Sequence, residues 1–214
     1  MSEKMFFSGE ALSLVLKKYR PSSVIDIGCG DGKHSKVFLE AGCTVNGLDI
    51  VLNPRLQQWL GFNKEFAGNF VFTAADFNTT KLSPQKYSCV WASHVLEHQP
   101  NVNSFLVRCF NLLEDDGVFA VTVPPAKPNI VGGHLTVWNP GLLLYNMILA
   151  GFDCSDAHVK CYGYNISVVV QKKEREPVNL KFDSGDITTL APFFPGELKA
   201  HENFNGIFEK VNWG

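Results

Sequence analysis

The stretch SSVIDIGCGDGKHS, residues 22–35, sets three glycines, Gly28, Gly30 and Gly32, at alternate positions between an apolar run and a helical pattern. In an open α/β sheet, ligands bind at the carboxyl ends of the strands, and the first strand-to-helix turn is the favoured place. Two phosphate-binding turns compete for this pattern, and both fail on spacing. The dinucleotide fingerprint G-x-G-x-x-G needs a glycine where Lys33 stands. The phosphate-cradling loop needs four residues between its first glycine and a Gly-Lys pair, then Ser or Thr. Here three residues separate Gly28 from Gly32, and His34 follows Lys33.

Outward from that turn, short β-branched runs alternate with amphipathic stretches. The pattern predicts strands over 24–28, 44–50, 70–74, 87–92 and 117–123. A helix precedes Pro21, with Leu12, Val15, Leu16 and Tyr19 at helical spacing and Ser8 as its cap. Further helices are predicted from His34 to a stop at Gly42, from Asn101 to Leu113, and from Asn139 to Gly151. Two late runs, 156–161 and 164–171, flank a short turn at Gly163 and should pair antiparallel at one edge of the sheet. This order indicates an α/β, doubly wound and mostly parallel sheet of seven strands. The expected division is a domain over 1–172 and an extension over 173–214, for which the pattern gives no fold.

At 214 residues with 45% apolar character, the chain buries one substantial core. A formal charge of −2 and the lack of a long Lys/Arg run disfavour nucleic acid and anionic membranes as partners. The N-terminus MSEKMFFSGEALS lacks signal-peptide features and no run approaches a membrane span, so a soluble, cytoplasmic protein is expected. The six cysteines form no C-x-x-C pair and read as reduced core thiols.

The string Asp26-Ile27-Gly28-Cys29-Gly30-Asp31-Gly32 resembles the first motif of class I S-adenosylmethionine-dependent methyltransferases. The cofactor of that family has no phosphate and carries an ammonium group, which Asp26 and Asp31 would tolerate. Asp49 ends the second strand about twenty residues on, the usual distance for an acid that takes ribose hydroxyls. Asp76 and Phe77 follow the third strand and resemble the adenine-holding position. YSCVWASHVLEHQPNV resembles the fourth motif, with the SHVLEH string of many small-molecule and sugar methyltransferases, and LLEDDGVFAVTVPP resembles the following turn and strand. GGHLTVWNPGLLLYNMILAGFD resembles the late loop and helix. The resemblance spans roughly residues 20 to 172 and implies the Rossmann-like methyltransferase fold. It implies cofactor contacts at Asp26, Gly28, Cys29, Gly30, Asp49, Ile50, Asp76, Phe77 and Ser93.

Methyl transfer needs mainly orientation and desolvation, and a hydroxyl acceptor also profits from a base near neutral pKa. Of the histidines, His134 in its glycine-flanked loop and His94 after the fourth strand are the candidates. His34 sits on an apolar stripe, His158 on a late strand and His201 in the tail. His98 is balanced between a helix-entrance role and a site role. Glu97 with His94 and His98 imitates a metal-ligand set, yet no metal is expected. Trp138, Phe193, Phe194 and Trp213 are read either as a pocket wall or as packing against the sheet or a second subunit.

The reading is thus a methyltransferase for a small-molecule or sugar acceptor, with oxygen as the expected target and homodimerisation left open. The alternatives are a non-catalytic binding or scaffold protein on the same fold, and an enzyme acting on RNA or protein. A set of acids suited to ribose and adenine argues against a dead site.

Overall fold

The computed structural model describes residues 7–82 and 84–214, so part of the N-terminal segment that was read for a signal peptide lies outside them. Eight strands form one sheet in the order β3-β2-β1-β4-β5-β7-β6-β8. They are β1 (Ser23–Ile27), β2 (Thr44–Asp49), β3 (Phe70–Ala74), β4 (Tyr87–Ser93), β5 (Leu113–Val123), β6 (His158–Tyr162), β7 (Asn165–Gln171) and β8 (Lys210–Val211). The first five pair in parallel. β7 pairs antiparallel with β5 and β6, and β8 antiparallel with β6. The expected count of seven is therefore one short. The expected edge hairpin is covered by a strand from the C-terminal segment.

The helices are α1 (Gly9–Leu14), continued by a wider turn over Val15–Tyr19, α2 (Lys33–Glu40), α3 (Pro54–Phe62), α4 (Val102–Leu112), α5 (Pro140–Leu149) and α6 (Asp186–Leu190). Each face of the sheet has its own core. One face packs Leu12, Phe38, Leu39, Leu56 and Trp91 from α1, α2, α3 and β4, together with Trp213. The other packs Phe105, Leu106, Leu143 and Met147 from α4 and α5, together with Leu190 and Phe194. Such two-sided burial explains why the central strands read as continuous apolar runs and lack alternation.

Local chemistry sets the helix starts. The side chains of Asn53, Asn101 and Asn139 each accept a backbone N–H in the first turn of α3, α4 and α5, a cap worth about 1 kcal/mol. Ser8 does not cap α1 in this way. It sits at φ 63 with no side-chain cap bond, and its hydroxyl instead meets the Ser93 hydroxyl at 2.6 Å.

β1 lies between β2 and β4, so the chain winds outward on one side through β2 and β3 and on the other through β4 and β5. That reversal opens a crevice beyond the carboxyl ends of β1 and β4.

Candidate active site

A cleft of about 480 Å³ occupies this crevice, lined by Gly28, Asp49, Asp76, Phe77, His94 and Val95 among others. Its size is within the usual range for small-ligand sites. Among the described residues no Lys or Arg lines it, whereas two carboxylates do. A cationic ligand without phosphate fits that balance; a pyrophosphate does not.

The turn after β1 is held from β2, because Gly28 and Cys29 both donate N–H to the Leu48 carbonyl, at 2.7 and 3.2 Å. Gly28 has φ +71, and a Cβ there would fall 2.2 Å from Val95 Cγ2, so a side chain is excluded twice over. Asp49 braces the turn as well: its Oδ2 accepts from Gly30 N at 2.8 Å, and its Oδ1 accepts from Ile50 N at 2.7 Å. Asp76 Oδ1 accepts from Asn78 N at 2.8 Å. Phe77 is buried edge-on against Phe105 at 4.9 Å, with the Arg108 guanidinium 4.9 Å from its ring centre.

The sequence-derived set divides here. Gly28, Asp49, Ile50, Asp76, Phe77 and His94 line the cleft. Gly30 joins them through its bond to Asp49. Asp26 and Cys29 lie beneath, both buried, and Asp26 accepts from the Ser35 hydroxyl at 2.6 Å. Burial pushes the Asp26 carboxyl above its usual range, against the lowering effect of His34 and Ser35. Asp26 thus ties β1 to α2 from below the turn. Ser93 is occupied by Ser8. Trp138, Phe194 and Trp213 are core residues, and neither they nor Phe193 line the cleft.

Beside the cleft, four side chains meet that the chain spreads over forty residues. His94 leaves β4 at φ 55, a left-handed conformation that non-glycine residues keep only where the surroundings enforce it. Its Nε2 lies 2.9 Å from Asn165 Oδ1, and its Nδ1 is 3.4 Å from Glu97 Oε1. Burial lowers the His94 pKa, but the hydrogen bonds to Glu97 and Asn165 and the Glu97 charge together carry it above the ordinary value. Glu97 is only 1% exposed. The same oxygen faces His98 Nε2, 3.8 Å away.

His134 arrives from the loop between β5 and α5. A bridge between Pro125 and Trp138 closes that loop, and Leu135 N donates to the Glu97 carbonyl at 2.8 Å. The His98 and His134 rings thereby stand edge to face, 5.0 Å apart. His98 lines the cofactor cleft, and His134 lines a small adjoining cavity with Pro125, Lys127 and Tyr164. Asn165, the partner of His94, carried no signal in the sequence beyond its place beside a turn. Glu97 did, as part of the His94, Glu97 and His98 set that imitates metal ligands.

Fold and cleft are those of the class I S-adenosylmethionine-dependent methyltransferases. The family model described as "Methyltransferase domain" matches residues 4–146, and the chain belongs to that family. It is 31% identical over 102 residues to the ubiquinone biosynthesis O-methyltransferase of Actinobacillus pleuropneumoniae serotype 5b (strain L20), covering 44% of this chain and 42% of the relative. It is 29% identical over 115 residues to the malonyl-[acyl-carrier protein] O-methyltransferase of Pseudescherichia vulneris, covering 54% and 44%. The chain therefore spans less than half the length of these curated relatives. Among solved structures, the 1,6-didemethyltoxoflavin-N1-methyltransferase of Burkholderia thailandensis, with bound 1,6-didemethyltoxoflavin and S-adenosylhomocysteine, superposes with a TM-score of 0.68 at 19% identity over 80% of each chain.

Proposed function

We propose that this protein binds S-adenosylmethionine in the cleft beyond β1 and β4 and transfers its methyl group to a hydroxyl oxygen of a small-molecule or sugar acceptor. The observation that carries the reading is the cleft itself, a glycine turn facing two carboxylates with no Lys or Arg among its described lining residues. O-methyltransferase relatives and the SHVLEH string support oxygen and a small acceptor. In this reading Asp49 holds the ribose hydroxyls, Asp76 and Phe77 hold the adenine, and the turn from Gly28 to Gly30 borders the amino-acid end. Asp26 and Cys29 shape that turn from beneath, and Ser93 holds Ser8 at the start of α1.

When bound, the cofactor would supply an electrophilic methyl on a sulfonium, open to displacement by the acceptor oxygen with the C–S electron pair returning to sulfur. The protein's task is to place the hydroxyl and ease the loss of its proton. His94 is committed to Asn165 and Glu97. His134 is the better placed of the two candidates, because its ring makes no hydrogen bond to another described residue and faces the adjoining cavity. His134 is thus the group that meets the acceptor, and His94 positions the turn carrying Glu97.

Calorimetry with S-adenosylmethionine and S-adenosylhomocysteine tests the reading. Both should bind, and Asp49→Ala should weaken both by about 1.5–3 kcal/mol, the worth of hydrogen bonds to a charged group. Absence of heat with either ligand, or an unaltered affinity in the variant, removes the assignment.

A further inference from the structure

The cluster beside the cleft has the composition of a metal site. Glu97, His98 and His134 each offer a ligand atom, and these atoms lie within 4.8 Å of one another. Two features go beyond proximity. Glu97 is 1% exposed, and its Oε2 is buried with no hydrogen-bond partner among the described residues. A bare carboxylate oxygen in that position is costly unless a cation or donor reaches it. The second feature is the tautomer of His98. Its Nδ1 is 2.8 Å from the Gly133 carbonyl, which only accepts, so Nδ1 carries the proton. In the neutral ring the Nε2 lone pair then points toward Glu97 Oε1, 3.8 Å away. Two lone pairs facing each other repel unless something positive stands between them. Histidines that ligate metals commonly donate their other ring N–H to a backbone carbonyl in this way.

We propose that Glu97, His98 and His134 bind one divalent transition-metal cation at the junction of the cofactor cleft and the adjoining cavity. Two imidazoles and one carboxylate suit Zn²⁺ and leave a fourth position open. Bonds of about 2.1 Å place tetrahedral ligands roughly 3.4 Å apart, so the set must draw in slightly. His98 is exposed and His134 half-buried, and both have room to do so. His94 Nδ1, 3.4 Å from the same Oε1, orients the carboxylate. Cation binding itself does not depend on the proposed activity. Its role does rest on that reading: the open position would hold the acceptor's hydroxyl, and coordination would draw its proton off to solvent. This reverses the metal-free expectation from the sequence, which could not bring His134 to Glu97 and His98.

The test uses the full chain without an affinity tag, stripped with chelator and titrated with Zn²⁺ alone. One equivalent should bind, and His98→Gln and His134→Gln should each weaken it by at least about tenfold, the least expected for disturbing a metal's surroundings. His201→Gln, in the tail, should bind as wild type. Zn²⁺ should also raise the melting temperature of the wild type, since a ligand for the folded state stabilises it, but not that of the His98→Gln/His134→Gln double variant. This second readout shows that the double variant is folded. Absence of saturable Zn²⁺ binding overturns the proposal, as does binding that survives in the double variant. If His134→Gln slows methyl transfer while Zn²⁺ does not bind, His134 acts directly as a base and only the metal site falls.

Discussion

His94 and His134 have the same side chain, yet their surroundings assign them different work. His94 holds a left-handed backbone and both ring nitrogens face protein groups, one of them the buried Glu97. His134 stands edge to face with His98 and beside a cavity, with no ring hydrogen bond to another described residue. His94→Ala should therefore cost about 1–3 kcal/mol of stability, because it leaves a buried carboxylate without its partner. His134→Gln should stay within about 0.5 kcal/mol of wild type, as surface changes usually do. Turnover should show the reverse emphasis: His134→Gln should fall at least about tenfold with cofactor affinity retained. Denaturant titration and single-turnover rates separate the two, and equal stability losses would show that the division of roles is wrong. The acids of the cleft were legible because Asp49 ends one strand and Asp76 closely follows another, and strand ends share one rim. The contact of His134 with His98 was not, since it depends on a loop closed by the Pro125–Trp138 bridge and pinned to the Glu97 carbonyl. Asp26 was placed by motif beside the ligand, but an inward-facing residue of a central strand is buried by the sheet itself.

At the level of elements, strands covered on both faces announce themselves as apolar runs, and β1 to β4 fall close to where those runs lie. β8 escapes such a reading. Two residues carry no period, and its place is fixed by partners far away in the sequence. α3 was missed because it buries only Leu56, so no apolar stripe marks it, although Asn53 and Pro54 form a sound helix start. The hold on β8 includes a pH-sensitive contact. His158, at the start of β6, has Nε2 2.5 Å from the Lys18 ammonium, and its Nδ1 donates to the Asn212 carbonyl next to β8. Burial pushes the His158 pKa below its ordinary value; Asn212 raises it, Lys18 lowers it further, and Asp156 raises it. When the folded pKa lies below the unfolded one, the unfolded chain binds more protons between the two. Stability from this group is then full above about pH 6.5 and falls as pH drops through that value. His94, with a raised pKa, contributes in the opposite sense, so a local probe is needed. Hydrogen exchange at Lys210 and Val211, corrected for intrinsic rates, should show lost protection between about pH 7.5 and 5.5, on either side of the ordinary imidazole value. In His158→Gln that dependence should vanish, and a profile identical to wild type would exclude His158 as its origin.

For the whole molecule, the question is whether the chain after residue 172 is an attachment or part of the fold. Composition suggested a boundary there, yet both cores continue across it. Leu190 and Phe194 are buried on one face of the sheet and Trp213 on the other, and Val211 in β8 is buried as well. The return path is fastened to α5, where Gly141 N donates to the Gly206 carbonyl at 2.8 Å. A Cβ on Gly141 would lie 2.5 Å from Gly206 Cα, so this close approach requires that Gly141 carry no side chain. Burying a large apolar side chain contributes about 1.5–3 kcal/mol, and four of them approach the roughly 5–15 kcal/mol of net stability typical of a domain. A chain ending at Lys172 should therefore lose cooperative unfolding. Gly141→Ala offers the milder test, since it forces the strap from α5 without exposing the cofactor cleft. It should lower stability by about 1–3 kcal/mol, the usual cost of overpacking, while S-adenosylhomocysteine affinity stays at the wild-type value. Denaturant midpoints and calorimetry on the two variants decide the matter. If the chain ending at Lys172 unfolds cooperatively at the wild-type midpoint, residues 173–214 are an attachment and the fold is complete without them.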